Sequence, residues 1–337
     1  MAAPGPGEGR RPTLADVAAR AGVSTALVSI VVREAPGASA ATRERVLRAA
    51  REIGYRPDAR ARLLRAHRSR LLGVVFEVQG TFHGDLLGGL YEAAEAAGYE
   101  LALSAVTPSR DEARAVGSLL SDRCEALVLL GPRSPAAQLA ELAARLPVVV
   151  VARAVRARGV DVVRTADDEG LHLAVDHLVG LGHRRIAHVD GGRAPGAAER
   201  RRGYREAMAR HGLSAEVRTV AGGPAEDDGA AAARSLLEGA PPTAVTVFND
   251  RCATGVLDVL RRAGRSVPGD VSVTGYDDSR LARLAHVDLT TVAQDAARMA
   301  SLALSRALAR LERADEPAGE EVVPPRLVVR GTTAPPR

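Results

Sequence analysis

The chain has little with which to build a disulfide scaffold, a metal site or a membrane span. Its 337 residues include two cysteines, Cys124 and Cys252, and neither has a neighbour at the spacing of a zinc or redox motif. No apolar run approaches the roughly 20 residues that a membrane helix needs. Residues 1–12 lack the apolar stretch of a secretory signal. We therefore expect two buried structural cysteines in a cytoplasmic protein.

Aromatic residues and enzyme motifs are also scarce. Aromatics make up 2% of the chain and Trp is absent, so its cores must be built from Ala, Val and Leu. The sequence contains no nucleophile elbow, phosphate-binding loop or dinucleotide fingerprint, and the glycine pairs at 88–89 and 191–192 are isolated. We expect no enzymatic activity and no cofactor.

Positive charge is concentrated at the N-terminal end. Residues 1–70 hold 14 arginines and six acidic residues, a net charge of +8, whereas the whole chain carries +5. Residues 71–337 therefore carry −3. A basic segment attached to a slightly acidic body is typical of a nucleic-acid-binding module.

This basic segment has the pattern of short helices. Thr13 is placed to cap a helix that ends at Gly22, and Ser24 to cap a second helix over 25–32. A third amphipathic helix is predicted over 42–53, with Val46, Leu47, Ala50 and Ile53 facing inward. Two helices joined by a short glycine-containing turn next to a basic surface indicate a helix-turn-helix, whose second helix reads the major groove.

From Leu71 onward, apolar strands alternate with amphipathic helices. The pattern predicts strands such as 71–76, 126–130 and 186–189, and helices such as 86–97 and 199–211. Strict alternation predicts parallel sheets covered on both faces. About ten such units exceed one doubly wound sheet, so we predict two similar α/β lobes.

The residues from Thr13 to Ser29 resemble the opening of the lactose/galactose-repressor family of transcriptional regulators, and the likeness resumes at Ile53-Gly54-Tyr55 and Pro57. In the body, Glu199 to Tyr204, Phe248-Asn249-Asp250 and Pro268 to Asp278 resemble motifs of the same family. The resemblance implies a helix-turn-helix head, a hinge helix, and a two-lobed effector domain like that of periplasmic binding proteins. The implied divisions are a lead-in at 1–12, a DNA-binding domain at 13–57, a hinge and linker at 58–70, and an effector-binding and dimerisation domain at 71–337, with lobe 1 at about 71–163 plus 293–322 and lobe 2 at about 164–292 plus 323–337.

The resemblance also implies which residues meet DNA. Ile30 and Ala26 depart from the family by offering only apolar contact, which changes direct readout; helix phase alone leaves Ile30 equally compatible with the core. Leu64 occupies the position of a side chain that wedges into the minor groove. The implied DNA-facing positions are Thr13, Ser24, Thr25, Ala26, Ser29, Ile30, Thr42, Tyr55, Asp58, Ala61 and Leu64.

A second implied site lies between the lobes. An arginine facing a carboxylate and an amide suits the vicinal hydroxyls of a sugar, or a carboxylate. Phe82 and His83 are expected on the loop after the first strand. The implied ligand-binding positions are Phe82, His83, Arg153, Arg200, Asn249, Asp277 and Gln294.

The sequence thus predicts a homodimeric regulator, a repressor of transcription, that binds palindromic double-stranded operator DNA under the control of a sugar or sugar derivative and associates with the nucleoid. Three alternatives stay open. One is an activator, or a purine- or nucleoside-responsive regulator, of the same family. The others are a hydrolase and an exported sugar-binding protein, which the basic head disfavours.

Overall fold

The computed structural model describes residues 12–32, 35–55, 69–313 and 315–337. The chain divides into two compact units, an N-terminal unit up to Ser69 and a C-terminal unit from Arg70 to Arg337. The predicted hinge residues Asp58, Ala61 and Leu64 lie outside the described residues.

Three helices form the described part of the N-terminal unit: α1 (Leu14–Ala21), α2 (Thr25–Val32) and α3 (Ala40–Glu52). Thr13 caps α1, and Gly22 ends it in the left-handed conformation with φ of 64°. Helix α3 begins two residues earlier than predicted, because the side chain of Ser39 accepts a hydrogen bond from the backbone of Thr42 and caps the helix there.

The core of this unit is small and aliphatic. Val17, Val28, Val31 and Val46 are buried together, with alanines filling the gaps between the three helices. Leu47, which the helical pattern placed inward, is instead 44% exposed. The buried residues of α3 are Val46, Ala49 and Ala50, so its inward face is turned away from Leu47.

The C-terminal unit begins with the first lobe, and several of its element bounds differ from the prediction. Helix α4 begins five residues earlier than predicted, so Phe82 and His83 lie in its first turn and not on a loop. Strand β5 was not predicted. The elements of this segment are β1 (Leu71–Glu77), α4 (Thr81–Ala96), β2 (Glu100–Val106), α5 (Glu112–Ser121), β3 (Ala126–Leu130), α6 (Ala136–Ala143), β4 (Val148–Val151) and β5 (Val160–Thr165).

The second lobe repeats the same alternation, and the chain then returns to each lobe once more. The elements of the second lobe are α7 (Asp167–Gly180), β6 (Ile186–Val189), α8 (Ala197–Arg210), β7 (Arg218–Val220), α9 (Glu226–Leu237), β8 (Ala244–Val247), α10 (Asp250–Arg262), β9 (Ser272–Asp277) and β10 (Thr290–Ala293). Helix α11 (Ala296–Glu312) and strand β11 (Glu320–Val323) rejoin the first lobe, and β12 (Arg326–Val328) rejoins the second. The chain therefore crosses between the lobes three times, after β5, β10 and β11.

Each lobe is built on a six-stranded sheet. The first sheet has the order β11-β5-β4-β3-β1-β2 and is parallel throughout, as predicted. The second has the order β12-β10-β9-β8-β6-β7, and its edge strand β12 pairs antiparallel with β10. The prediction of parallel sheets is therefore confirmed except at this edge strand, where the short connection from β11 enters the second lobe without a helix that would return the chain in the parallel direction.

Helices cover both faces of both sheets. In the first lobe, α4 and α11 pack on one face while α5 and α6 pack on the other. In the second lobe, α9 and α10 cover one face while α7 and α8 cover the other. Parallel strands buried in this way direct their carboxyl ends toward a common edge, and in each lobe that edge faces the cleft.

No single helix in the described part of the chain is long and apolar enough to span a membrane, and only α1 and α2 taken together, bent by 106°, pass the test of length and composition.

Candidate functional site

Helix α2 presents the residues that were predicted to face DNA. The hydroxyl of Ser24 accepts a hydrogen bond from the backbone of Leu27 at 3.2 Å and begins the helix. Thr25 and Ala26 are exposed, Ser29 and Ile30 are half-buried, and Val28 and Val31 are buried on the opposite face. Ile30 lies outside the buried cluster, beside the loop at Gly37. The accessible face of α2 therefore includes Ile30.

Thr13, Thr42 and Tyr55 were also predicted to face DNA, and each makes a contact that stabilises the N-terminal unit. Asp16 Oδ2 accepts hydrogen bonds from both the backbone N–H and the hydroxyl of Thr13, each at 2.7 Å, in a capping box. The hydroxyl of Thr42 lies 2.9 Å from that of Ser39 at the start of α3. Tyr55 packs against the small aliphatic core.

In the C-terminal unit, a cavity lies between the carboxyl ends of the two sheets. Six of the seven predicted ligand residues line it: Phe82, His83, Arg200, Asn249, Asp277 and Gln294. The seventh, Arg153, is not among the lining residues, because its Nη1 donates to the carbonyl oxygens of Pro132 at 2.7 Å and Ser134 at 2.8 Å. Arg153 thus fixes the loop after β3.

Arg200 is the centre of the polar network in this cavity. It is buried on α8, its Nε donates to Asp167 Oδ1 at 2.8 Å, and its Nη1 donates to the carbonyl oxygen of Phe248 at 2.7 Å. Its guanidinium carbon lies 3.6 Å from the ring centroid of Tyr276 and 4.7 Å from that of Phe248. Burial disfavours the charge of Arg200, but the neighbouring Asp167, Tyr276 and Asp277 together outweigh it, so the pKa of Arg200 is raised. Arg200 is therefore a fixed cation.

Asp277 and Gln294 continue the network toward the crossover segments. Gln294 Nε2 donates to Asp277 Oδ1 at 2.8 Å, and the hydroxyl of Thr165 donates to Gln294 Oε1 at 2.7 Å. Asp277 Oδ1 also lies 3.7 Å from Arg200 Nη1. Asp277 has a φ of 111°, a conformation that L-residues rarely adopt and that is found disproportionately at binding sites. Arg200 Nη2 and Asp277 Oδ2 have no hydrogen-bond partner within the described part of the chain.

A second buried carboxylate lies behind Asp277. Asp250 accepts hydrogen bonds from the hydroxyl of Thr291 at 2.6 Å and the backbone of Ser279 at 2.7 Å. Gly275 is required beside it, because a Cβ there would collide with Asp250 Oδ1. Burial, and then the charge of Asp277, raise the pKa of Asp250 to about 8. Burial also raises the pKa of Asp277, to about 6, although Arg200 opposes that shift.

Asn249 and His83 make structural contacts while lining the cavity. Asn249 caps α10 by accepting a hydrogen bond from the backbone of Cys252 at 2.7 Å, and its Nδ2 donates to the carbonyl oxygen of Pro224 at 3.2 Å. His83 Nδ1 accepts a hydrogen bond from the backbone N–H of Glu77 at 3.0 Å, and burial lowers the pKa of His83. A neutral imidazole therefore faces the cavity.

The structure adds lining residues that sequence reasoning missed. Glu77 ends β1, Gln79 lies two residues beyond it, and Arg133 follows β3. Each stands just after a strand that the sequence predicted, and this position was the available signal. Phe248 and Arg251 flank the Asn249-Asp250 pair that the sequence had singled out. The lining residues not predicted are Glu77, Gln79, Gly80, Thr81, Gly131, Arg133, Ala152, Ala194, Pro195, Pro224, Ala225, Phe248 and Arg251.

Every arginine in the lining is paired with a carboxylate. Arg200 is paired with Asp167, Arg251 Nε lies 2.6 Å from Glu226 Oε2, and Arg133 Nη2 lies 3.4 Å from Glu77 Oε1. Within the described residues no group of three or more His, Cys, Asp or Glu could hold a metal ion. The arrangement offers paired donors and acceptors with aromatic and proline surfaces, which suits an uncharged polyhydroxylated ligand better than an anion.

Two family models match this chain. Residues 13–58 match the model described as bacterial regulatory proteins, lacI family, and residues 175–333 match that of a periplasmic binding protein-like domain. The chain is 35% identical to the HTH-type transcriptional regulator GalR of Salmonella typhimurium, over 96% of both chains. It is 31% identical to the HTH-type transcriptional repressor PurR of Vibrio campbellii, over 95% of this chain and 98% of that one.

Solved structures resemble the chain as well. A LacI transcriptional regulator from a Rhodococcus species is 56% identical, with a TM-score of 0.77, over 79% of this chain and 98% of that one. The Lac repressor dimer bound to operator and an anti-inducer is 29% identical, with a TM-score of 0.82, over 96% of this chain and 100% of that one. A complex of the regulator CelR with cellobiose is 31% identical, with a TM-score of 0.70, over 96% of this chain and 100% of that one.

Proposed function

The chain belongs to the lacI family of bacterial regulatory proteins, and on that premise we propose that it is a homodimeric repressor whose operator affinity is set by a sugar or sugar derivative bound in the cavity between its lobes. It is a ligand-controlled DNA-binding transcriptional regulator and not an enzyme. The single observation that carries the ligand proposal is the network of Arg200, Asp277 and Gln294, which leaves a donor and an acceptor facing the cavity.

We propose a neutral sugar, not a sugar acid. An unpaired cation favours a bound carboxylate, whereas each of the three lining arginines is paired with a carboxylate, Asp167, Glu226 or Glu77. Vicinal hydroxyls can bridge Arg200 Nη2 and Asp277 Oδ2, while Phe82 and Phe248 provide apolar surface for a sugar ring. The complex of the relative CelR with cellobiose supports this class of ligand.

At the DNA end, we propose that α2 enters the major groove with Thr25, Ala26, Ser29 and Ile30 toward the bases. Their accessibility on one face of α2 supports this role. A two-fold dimer reads a palindrome, and the Lac repressor dimer bound to operator supports the same assembly. We further propose the division into a DNA-binding domain at 13–57, a hinge at 58–70 that includes Asp58, Ala61 and Leu64, and an effector domain at 71–337, and that the protein acts in the cytoplasm on the nucleoid.

The ligand proposal is tested by thermal-shift and calorimetric titration of the full chain with neutral sugars, sugar acids, purines and nucleosides. We expect one saturable neutral sugar, and we expect Asp277→Asn to abolish its binding because the amide oxygen stays with the Gln294 donor and an NH2 group replaces the acceptor Oδ2. Exposed Arg262→Ala serves as the control variant. Binding of a sugar acid would contradict the neutral class, and binding of a purine or nucleoside alone would favour the other branch of the family.

The DNA proposal is tested by selecting duplexes from a random pool with the full chain. We expect a palindromic sequence bound by a dimer, with the panel compound changing its affinity. A selected site without two-fold symmetry would contradict the dimeric reading. Tighter DNA binding in the presence of the compound would identify a co-repressor, and weaker binding an inducer.

A further inference from the structure

An arginine of the second lobe crosses the mouth of the cavity and is hydrogen-bonded to the first lobe. Arg251 lies in the first turn of α10, where its Nε donates to Glu226 Oε2 at 2.6 Å. Its Nη1 donates to the main-chain carbonyl oxygen of Gln79 at 2.9 Å, in the loop between β1 and α4. One guanidinium therefore connects both lobes at the edge of the cavity.

This bridge lies far from the three crossover segments. The crossovers leave the sheets at β5, β10 and β11, whereas Gln79 follows β1, three strands from β5. With strands spaced about 4.8 Å apart, this separation is on the order of 14 Å across the first sheet. Arg251 follows β8, two strands from β10, which is about 10 Å across the second sheet. If the lobes open by rotating about the crossover segments, the two ends of this hydrogen bond must move far apart. The bond therefore resists opening of the cleft effectively.

The packing of α9 against α10 holds the bridge in place. Glu226 is the first residue of α9, and a Cβ at Gly255 of α10 would collide with the carbonyl oxygen of Glu226. Only glycine permits this close approach, which fixes Glu226 next to Arg251. The lobes also approach at a second point, because a Cβ at Gly131 of the first lobe would lie 3.5 Å from Pro195 Cγ of the second.

We propose that Arg251 is a clasp that holds the two lobes closed over the cavity and thereby controls how fast a ligand enters and leaves. The Nε and Nη1 atoms are used at the same time, toward different lobes, so the clasp requires the guanidinium fork. A lysine has a single nitrogen and cannot reproduce this geometry. The ligand-exchange part of the inference rests on the proposed function, but the closure of the lobes does not.

The clasp is tested by hydrogen–deuterium exchange of the full chain without ligand. In Arg251→Ala, amides of the two cavity-edge segments, 77–83 and 223–226, are expected to exchange about tenfold faster, the effect of losing one charge-assisted hydrogen bond. Arg251→Lys is expected to behave similarly. The control is Arg262→Ala on the same helix, whose side chain is 78% exposed and is paired with Asp258. Amides of β3 and β8 report whether a variant has lost its fold.

Unchanged exchange in the cavity-edge segments of Arg251→Ala, with β3 and β8 still protected, would overturn the proposal, as would Arg251→Lys matching the unsubstituted protein. A uniform rise that includes β3 and β8 would also count against a clasp, because it would show a general loss of stability. If a panel compound binds the unsubstituted protein but Arg251→Ala exchanges normally, the proposed function stands and the clasp fails. If Arg251→Ala exchanges faster at the cavity edge but no panel compound binds the unsubstituted protein, the clasp stands and the proposed function fails.

Discussion

Arg200 is paired with the buried Asp167 and is also the proposed ligand donor, and substitution of Arg200 cannot separate these two contributions. Removal of its side chain in Arg200→Ala leaves Asp167 buried without its partner at 2.8 Å. Because an unpaired buried charge is costly, we expect the variant to lose about 3–5 kcal/mol of unfolding free energy, measured by urea denaturation of the full chain. Loss of a ligand response in this variant would therefore not identify a ligand contact, whereas Asp277→Asn avoids this ambiguity.

A double variant tests whether the stability lost in Arg200→Ala comes from the isolated charge of Asp167. Replacement of both partners by apolar residues of similar size, in Arg200→Met with Asp167→Leu, removes the isolated charge. We expect the double variant to recover much of the lost stability, because a buried ion pair is often no more stabilising than a well-packed apolar pair. A double variant that is less stable than Arg200→Ala would show that Asp167 stabilises the lobe independently of Arg200.

Ligand affinity is expected to depend on the ionisation of Asp277. Burial raises the pKa of Asp277 to about 6, so the carboxylate is charged above that pH and protonated below it. A ligand hydroxyl that donates to Oδ2 requires the charged form. Affinity for the bound panel compound is therefore expected to be constant above about pH 7 and to fall up to tenfold for each pH unit below the pKa. Calorimetric titration across pH 4.5–8 checks this, and a flat profile would exclude a donor–carboxylate contact.

At the scale of single elements, the capping residues at the start of α1 make a testable contribution to the stability of the N-terminal unit. Thr13 and Asp16 form a capping box there. Since an alanine cannot cap, Thr13→Ala is expected to destabilise the N-terminal unit by about 1 kcal/mol. Hydrogen exchange of the amides of α1 in the full chain measures this change. Thr13→Ser retains the hydroxyl and is expected to match the unsubstituted protein; equal losses in both variants would assign the effect to the threonine methyl group.

The sequence predicted those elements whose limits are set by local chemistry. Helix α2 and strands β3 and β6 have the predicted bounds, because a serine cap or a short run of buried aliphatic residues determines them. Strands β5, β10, β11 and β12 and helix α11 were not predicted. The position of each of these strands depends on the strand with which it pairs, and a local pattern contains no information about that partner.

The cavity residues, like the helices and strands, were predicted only in part. The resemblance to the family assigned Arg200, Asn249, Asp277 and Gln294 to a ligand site, and these residues line the cavity, where the carboxyl ends of the parallel strands converge. Arg153 also follows a strand, but its side chain binds carbonyl oxygens of the neighbouring loop. Which way a long side chain turns is decided by unsatisfied acceptors nearby, and these become visible only in three dimensions.

At the scale of the whole molecule, the proposed function requires that the cavity and the DNA-binding surface influence each other. If the bound compound changes the affinity for DNA by some factor, DNA must change the affinity for the compound by the same factor, typically about 5–150-fold. Fluorescence anisotropy with the selected duplex, with and without the panel compound, measures the first factor. Calorimetric titration of the compound, with and without the duplex, measures the second.

The two factors are expected to agree for the unsubstituted protein, and both should fall to one in Asp277→Asn because that variant no longer binds the compound. Arg251→Ala should bind and release the compound faster, and it should retain coupling, since its Nη1 contacts the lobe edge at Gln79 and not the Arg200 network. A compound that binds the cavity but leaves both factors at one would show that this cavity does not control DNA binding. That result would leave the ligand site intact and remove the regulatory role from it.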